Sequence, residues 1–293
     1  MDKKRSGFKA WVWIMASLVA GFVAGCGSSD DGIFGGKGGT GGAGGPLAIN
    51  LGAAATYGIV SQQGLTSTGV TVVNGDVALD PLATCTDSTG NAGASQSCLV
   101  KPYASPTGMT DNGTIYWAGD GTGISTTVAT AVNTAWVEGK SKVDTFATGF
   151  LGGQLGAAGP AGKVLLPGIY HEAALGMAAG TVTTLDGSAS DVWIFKIDSS
   201  FVDSGTLLLP NQIKLVNGAQ ARNVWFVAGL DITIGSGTSW NGNILAGRTA
   251  TINTSSTVMG RVLAGASGAG TFTLTGSNTP FVGGTSAITV TVP

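Results

Sequence analysis

Three aspartates, Asp191, Asp198 and Asp203, have the clearest capacity for acid–base chemistry in this chain. A carboxylate cluster could act as general acid, base or nucleophile, as in a glycosidase or a solenoid polysaccharide lyase. Each aspartate flanks the end of a predicted strand, where Asp commonly forms turns, and no basic or aromatic subsite accompanies them. The sequence therefore favours turn residues at these positions, and it predicts no catalytic residue.

Two further patterns could bind a phosphate or a metal ion. Gly119, Gly121 and Gly123 precede a predicted helix, but the terminal spacing of a phosphate loop is wrong and no Lys-Ser/Thr follows. They fit a helix-entry turn better. The single histidine, His171, follows a Pro-Gly turn and is predicted to be a surface or loop residue. No metal and no cofactor are predicted.

Hydroxyl side chains are the third candidate, and they come with a repeat. Residues 233–247 realign on residues 251–265 with an offset of 18 throughout. A fixed period with apolar residues in register is typical of stacked coils, each of which buries its inner face on the next. The residues left outside are mostly Thr, Ser, Asn and Gly. This pattern predicts a flat, hydroxyl-bearing surface rather than a catalytic pocket.

Short β-rich segments must position that surface. They are rich in Val, Ile and Leu and are separated by Gly, Pro and Asn turns, as expected for parallel strands buried on one face. The predicted strands cover 57–60, 71–79, 164–170, 192–197, 213–216 and 224–227, with a closing strand at 287–292 that forms an edge or a tail.

One segment, 125–146, has helical rather than β periodicity. Its apolar residues fall at helix-compatible spacing, and Ser125 or Thr126 could cap its start. We expect this single amphipathic helix to pack along one side of the solenoid. Residues 82–114 lose hydrophobic periodicity and are predicted to be an irregular insertion that caps an open coil end.

The N-terminus has the pattern of an export signal. A basic start precedes an apolar run at 10–23 that is too short to span a bilayer comfortably, and Val23-Ala24-Gly25-Cys26 resembles a bacterial lipoprotein cleavage box. The alternative is an ordinary secretory signal cleaved nearby. We predict a signal peptide at 1–25, a lipid-anchored glycine-rich linker at 26–46 that starts at lipidated Cys26, and a folded domain at 47–293.

Export and charge limit the partners. The predicted destination is the outer membrane or cell surface, with release to the extracellular space as a further outcome. The mature chain carries a weak negative charge and no basic patch, so we expect no nucleic-acid binding. We expect membrane contact only through the lipid. We also expect a monomer. In an exported protein Cys85 and Cys98 are expected to form a disulfide, because two thiolates alone rarely close a zinc site.

Several segments in sequence order resemble the microbial ice-binding (antifreeze) proteins. The resemblance covers roughly residues 49–276. The segments that carry it are Leu51-Gly52-Ala53-Ala54, Tyr57-Gly58-Ile59-Val60, residues 68–77, Leu166-Pro167-Gly168-Ile169-Tyr170, residues 192–197, residues 216–225 and Gly242-Asn243-Ile244-Leu245-Ala246.

The resemblance implies a mainly β fold: a right-handed, discontinuous parallel β-solenoid of triangular section, with one long α-helix alongside and a small disulfide-stapled capping insertion. It also implies ice binding through one flat face that bears Thr-(Ala/Gly)-x-(Thr/Asn) steps. Residues 68–71 fit that step, residues 254–257 keep both threonines, and residues 236–239 have serine at both ends. The implied ice-binding residues are Thr68, Thr71, Thr233, Ser236, Thr238, Thr251, Asn253, Thr254 and Thr257.

Two functions of different class follow, the first from the resemblance and the second from the sequence patterns. The first is a non-enzymatic ice-binding protein that adsorbs to crystal planes, causes thermal hysteresis and inhibits recrystallisation. The second is a cell-surface carbohydrate-binding or adhesive solenoid, whose affinity would depend on exposed Trp or Tyr side chains. Which solenoid face binds is left open by the sequence, because a shift of one residue along a strand moves each side chain to the opposite face.

Overall fold

The computed structural model describes residues 48–79, 84–86, 93–94, 109–117, 121–156, 159–268, 270–275 and 288–293. All of them belong to one compact unit, Gly41–Pro293. Within these ranges the chain forms 24 β-strands, the helix α1 (Ile124–Ser141) and two short 3₁₀ turns at Gly52–Ala54 and Ala221–Asn223. The predicted signal peptide, Cys26 and the glycine-rich linker lie outside the described residues.

The strands follow one another around three sheets. In chain order the first twelve are β1 (Tyr57–Ser61), β2 (Gly64–Ser67), β3 (Thr71–Asn74), β4 (Asp76–Leu79), β5 (Thr84–Thr86), β6 (Gly93–Ala94), β7 (Met109–Asp111), β8 (Ile115–Trp117), β9 (Gly159–Leu165), β10 (Gly168–Glu172), β11 (Leu175–Met177) and β12 (Thr181–Asp186). The remaining twelve are β13 (Trp193–Ile197), β14 (Phe201–Asp203), β15 (Gln212–Val216), β16 (Val224–Ala228), β17 (Ile232–Ile234), β18 (Ser239–Asn241), β19 (Asn243–Ala246), β20 (Ala250–Asn253), β21 (Thr257–Met259), β22 (Val262–Ala264), β23 (Thr271–Thr275) and β24 (Ile288–Thr291).

Three eight-stranded sheets make the three sides of each coil. Sheet A has the order β10-β13-β16-β19-β22-β1-β4-β8, and sheet B the order β11-β14-β17-β20-β23-β2-β5-β6. Sheet C has the order β7-β3-β24-β21-β18-β15-β12-β9. Among the described strands every pairing is parallel except that of β5 with β6. The solenoid predicted from the repeat is confirmed.

The 18-residue offset is the length of one coil. Thr233 pairs with Thr251 in sheet B, Ser239 with Thr257 in sheet C, and Ile244 with Val262 in sheet A. Residues 18 apart are therefore neighbours at the same position of successive coils. This is the geometric origin of the repeat seen in the sequence.

The order of coils in space differs from their order in the chain. The first coil, β1 to β3, lies inside the stack rather than at an end, and the chain winds from it toward β8 at the nearer end. Helix α1 then carries the chain back along sheet A, and β9 to β24 wind up to meet the first coil. Eighteen residues of helix span about 27 Å, close to the roughly 34 Å that eight strands occupy.

Helix α1 packs on the outer surface of sheet A. Val128 and Val132 of the helix share a buried cluster with outward side chains of the sheet, among them Val60, Ile194 and Val227. The predicted packing along one side of the solenoid is confirmed. The helix is shorter than the predicted 125–146, because Lys142 is already extended and Thr145 instead donates its backbone N–H to Ile169 O at 3.0 Å.

Two further details of the helix and strand predictions are corrected. The helix N-cap is Gly123 in the left-handed conformation, and Ser125 is buried inside the helix rather than capping it. The closing strand β24 is neither an edge nor a tail, since it pairs with β21 on one side and with β3 on the other. The C-terminal and N-terminal coils thus join in a seam inside the solenoid.

The predicted insertion, 82–114, contains short strands at its described positions. Strand β5 joins sheet B beside β2, and β7 joins sheet C beside β3. The side chain of Cys85 and the whole of Cys98 lie outside the described residues, so the disulfide stays a prediction. In the described part of the chain, no helix combines the length and the hydrophobicity that a membrane crossing needs.

Candidate functional site

The outer face of sheet B carries an unbroken row of threonines. Side chains alternate along each strand, so Ile232, Ile252 and Phe272 are buried. Their neighbours Thr233, Thr251 and Thr273 therefore point outward. Register then places the outward residues side by side on four adjacent strands. This threonine row consists of Thr233, Thr251, Thr273 and Thr66, and by strand register Thr86 of β5 is next in line.

The row is regular and its hydroxyls are free. Adjacent strands lie about 4.8 Å apart and alternate residues along one strand about 6.7 Å apart, so the side chains stand on a rectangular grid. None of the four hydroxyls hydrogen-bonds to another described residue. Each threonine is partly exposed. The row can therefore direct both its hydroxyls and its methyl groups at the solvent.

Polar residues flank the threonine row on both sides. Thr271 is exposed on the side toward sheet A, and Asn253 pairs with Thr275 on the side toward sheet C. Thr275 Oγ1 lies 2.6 Å from Asn253 Oδ1, and Thr68 Oγ1 donates to Leu274 O at 3.3 Å. Hydrogen bonds hold these flanking side chains in place at the margin of the face.

A shallow groove runs along one side of the row. It has a volume of about 550 Å³ and is lined by Thr233, Thr251, Thr271 and Arg248, among others. At its border Arg248 pairs with Asp231, with an Nη2–Oδ2 distance of 2.7 Å. These two charges mark the corner between sheets A and B. The outward positions of the strands that carry the threonine row hold no charged residue.

The other two faces are less suited to bind a flat surface. Helix α1 covers sheet A. On sheet C the outward residues are mixed: Met259 is 42 % exposed, Lys214 is exposed, and Asn74 Nδ2 donates to Thr291 Oγ1 at 3.0 Å. Along β17, β20, β23 and β2, sheet B is thus the face with a uniform chemistry.

The residues predicted as a site fall into three places. Thr233, Thr251 and Asn253 lie on the outer face of sheet B, and Thr68 directly follows β2 at the margin of that face. Ser236 and Thr254 lie in the turns between sheets B and C. Thr257 is exposed on sheet C. The nine predicted residues therefore do not share one plane, although the members on sheet B do.

Two of the predicted site residues are corrected by their burial. Thr71 is fully buried with its hydroxyl 3.2 Å from Ser67 Oγ, and Thr238 is fully buried and donates to Asp203 Oδ2 at 2.7 Å. Neither side chain can touch an external surface. A threonine at the end of a Thr-Gly-Val-Thr step points inward here because the chain turns the corner from sheet B to sheet C.

The prediction missed the centre of the row. Thr66, Thr271, Thr273 and Thr275 were outside the predicted set, yet β23 presents three outward threonines on one strand. A signal for them was present: residues 271–275 read Thr-Phe-Thr-Leu-Thr, a strict alternation of polar and apolar residues. That alternation alone shows which threonines share a face.

The alternative sites do not assemble. Asp191 accepts a hydrogen bond from Ser188 N–H at 2.6 Å, and Asp203 is buried beside Asn211. Asp198 instead lies beside His171. The three carboxylates therefore do not form a cluster. Within the described ranges no group of three His, Cys, Asp or Glu side chains could hold a metal ion. Phe150, at 54 %, is the one highly exposed aromatic ring in that part of the chain.

Comparisons with known proteins agree with this geometry. The chain is 34 % identical over 225 residues to the ice-binding protein K1-A of Typhula ishikariensis, a match that covers 70 % of this chain and 79 % of the relative. An ice-binding protein of Flavobacterium frigoris (strain PS1) is 28 % identical over 208 residues, covering 68 % and 65 %.

A solved structure shares the fold. The ice-binding protein of the Antarctic ascomycete Antarctomyces psychrotrophicus superposes with a TM-score of 0.62 and 27 % identity, over 84 % of this chain and 98 % of that one. The model of the family described as Ice-binding-like matches residues 59–278. The chain is therefore a member of the Ice-binding-like family.

Proposed function

We propose that this protein binds ice through the outer face of sheet B and acts without catalysis. Adsorption to crystal planes would produce thermal hysteresis and inhibit recrystallisation. The observation that carries the proposal is the threonine row, four identical outward side chains in register on adjacent parallel strands. Membership of the Ice-binding-like family and the names of the relatives support it.

The chemistry of threonine suits this role. Its χ1 angle is restricted, so little rotamer freedom is lost when the side chain meets a crystal. The methyl group orders neighbouring water while the hydroxyl anchors it, at repeats close to the oxygen spacings of ice. One such contact is worth about 0.5–1.5 kcal/mol. Because a rigid face makes many contacts at once, we expect binding that is slow to reverse.

The direct test is the growth of a single ice crystal in a solution of the purified protein. We expect a gap between the melting and freezing temperatures and a faceted crystal, neither of which appears with an unrelated folded protein at equal concentration. Unshaped growth at high concentration, with the protein shown to be folded by circular dichroism, would refute the proposal. In that case binding to glycans would be measured next.

We further propose that the folded domain is exported as a monomer and tethered through a lipid on Cys26. The basic start, the apolar run and the Val-Ala-Gly-Cys box support this proposal. Labelled palmitate should enter the protein in an expressing bacterium and be lost in Cys26→Ser. Equal labelling of the two proteins would exclude the anchor, without bearing on ice binding.

A further inference from the structure

The segment that follows the helix closes one end of the solenoid. Residues 142–155, the capping segment, run along the outer edges of β10 and β11. Thr145 N–H donates to Ile169 O at 3.0 Å, Gly149 N–H to His171 O at 2.8 Å, and Gln154 forms a bridge with Gly176. The capping segment therefore satisfies backbone groups that the terminal strands would otherwise leave open at the sheet edges.

His171 joins this segment to the solenoid through both of its ring nitrogens. Nδ1 lies 2.9 Å from Asp144 Oδ2, which belongs to the capping segment, and Nε2 lies 3.0 Å from Asp198 Oδ1, at the end of β13. The ring is about four-fifths buried, with 21 % of the side chain exposed. His171 thus stands between two carboxylates that come from different parts of the chain.

This geometry suits a doubly protonated ring. A neutral imidazole has one N–H, so it could donate to only one carboxylate and would turn a lone pair toward the other. The imidazolium donates to both. It also balances the charge, because Lys196 and His171 then face Asp144 and Asp198, two positive groups against two negative ones.

The remaining neighbours of the ring do not change this balance. Lys196, the register partner of His171 on β13, donates to Asp144 Oδ1 at 2.6 Å and to Lys142 O at 2.8 Å. Thr148 Oγ1 lies 3.4 Å from Nδ1 and is uncharged. Glu172 is buried and accepts from Leu151 N–H and Gly153 N–H, so it forms a second attachment of the capping segment.

We propose that Asp144, His171 and Asp198 form a pH-dependent latch that holds the capping segment on the end of the solenoid. The latch is closed while both ring nitrogens carry protons. Loss of one proton leaves a carboxylate facing a lone pair, and the segment from Asp144 to Phe150 loosens while Glu172 keeps the part beyond it attached.

The direction of the pH dependence follows from the ionisation of the pair. The hydrogen bond to Asp198 and then that to Asp144 raise the pKa of His171 above its ordinary 6.5, against the effect of burial. Burial raises the pKa of Asp144, but the hydrogen bonds from Lys196 and His171 outweigh it and lower that pKa below 3.8. The stabilisation is therefore complete between pH 3.8 and pH 6.5. It is lost as pH rises through the folded pKa of His171, and also as pH falls through the folded pKa of Asp144.

The test uses the fact that His171 is the single histidine of the chain. Its ring nitrogens can be titrated by NMR in the ¹⁵N-labelled full chain, folded and in urea. We expect a higher pKa in the folded protein, and a lower folded pKa in Asp198→Asn. Asp191→Asn removes the same charge from a distant turn and should leave the pKa unchanged. A folded pKa equal to or below the unfolded one would overturn the latch.

Hydrogen exchange reports whether the capping segment itself responds to pH. After correction for intrinsic rates, protection of the Gly149 amide should fall several-fold between pH 6 and pH 8.5, while that of the Phe226 amide in the core stays constant. In His171→Gln, whose side chain does not titrate, the Gly149 amide should show no such change. The same pH dependence in His171→Gln would show that the ring does not control the segment.

Discussion

Threonine side chains on sheet B combine two properties that a water-ordering surface needs. Their methyl groups and hydroxyls are presented together, and the hydroxyls of Thr233, Thr251, Thr273 and Thr66 are free of other described residues. Val202 continues the row on β14, opposite Thr233. It has nearly the shape of threonine but no hydroxyl. Comparing Val202 with the threonines of the row therefore separates the effect of the hydroxyl from that of the methyl groups.

This comparison gives a prediction at the residue scale. Thr251→Val keeps the shape of the side chain and removes one anchoring hydroxyl, so we expect a partial loss of thermal hysteresis. Val202→Thr adds one hydroxyl to the end of the row and should increase thermal hysteresis. Both are measured on single crystals at equal concentrations of folded protein. Unchanged hysteresis in both variants would mean that the methyl groups, not the hydroxyls, determine adsorption.

Sequence reasoning selected threonine as the candidate residue type but did not give the face on which each threonine lies. Thr233 and Thr251 were predicted because the 18-residue offset aligns them. Thr71 and Thr238 were predicted from motif spacing, and they are buried because a corner of the coil turns them inward. The spacing of threonines along the chain does not show where the coil turns a corner. Strict alternation of polar and apolar residues, as at 271–275, does show which side chains share one face of the sheet.

At the scale of elements, the seam between the last and first coils holds the site together. Thr273 lies on β23 and Thr66 on β2, so the threonine row crosses the seam. Arg261 is buried at that seam, where its Nε donates to Ala55 O at 2.8 Å and its Nη1 to Asn243 Oδ1 at 3.0 Å. Desolvation lowers the pKa of Arg261 to about 10, so the group stays charged at neutral pH.

We predict that Arg261→Ala destabilises the seam. It leaves Ala55 O and Asn243 Oδ1 without their donor, and each such loss costs about 1–3 kcal/mol. Thermal unfolding should shift to a clearly lower temperature, whereas the same change at exposed Arg222, two coils away, should have little effect. An equal Tm for Arg261→Ala and the unchanged protein would show that backbone pairing alone holds the seam.

The elements themselves were largely predictable, but their connections were not. Hydrophobic periodicity gave the helix and most strands, because each element buries one face. The end of the helix at Ser141 depends on the capping segment pairing with β10, a contact between distant residues. The insertion of β24 between β21 and β3 likewise depends on the whole topology, so a strand near the C-terminus looked like a tail.

At the scale of the whole molecule, the solenoid provides a rigid plate with three unlike sides. Helix α1 occupies sheet A, mixed residues cover sheet C, and sheet B alone is uniform and free of charge along the row. The discontinuous winding stacks C-terminal coils on N-terminal coils. The threonine row is therefore longer than the row that the N-terminal or the C-terminal coils would form alone. This architecture predicts binding by one flat side.

The most direct measurement compares two equal substitutions on different sides. Thr273→Tyr places a bulky ring at the centre of the threonine row, and Thr257→Tyr places the same ring at an exposed position on sheet C. With both variants shown to be folded, we predict that Thr273→Tyr abolishes thermal hysteresis and that Thr257→Tyr keeps it. Full activity of Thr273→Tyr, or its loss in Thr257→Tyr alone, would contradict binding through sheet B.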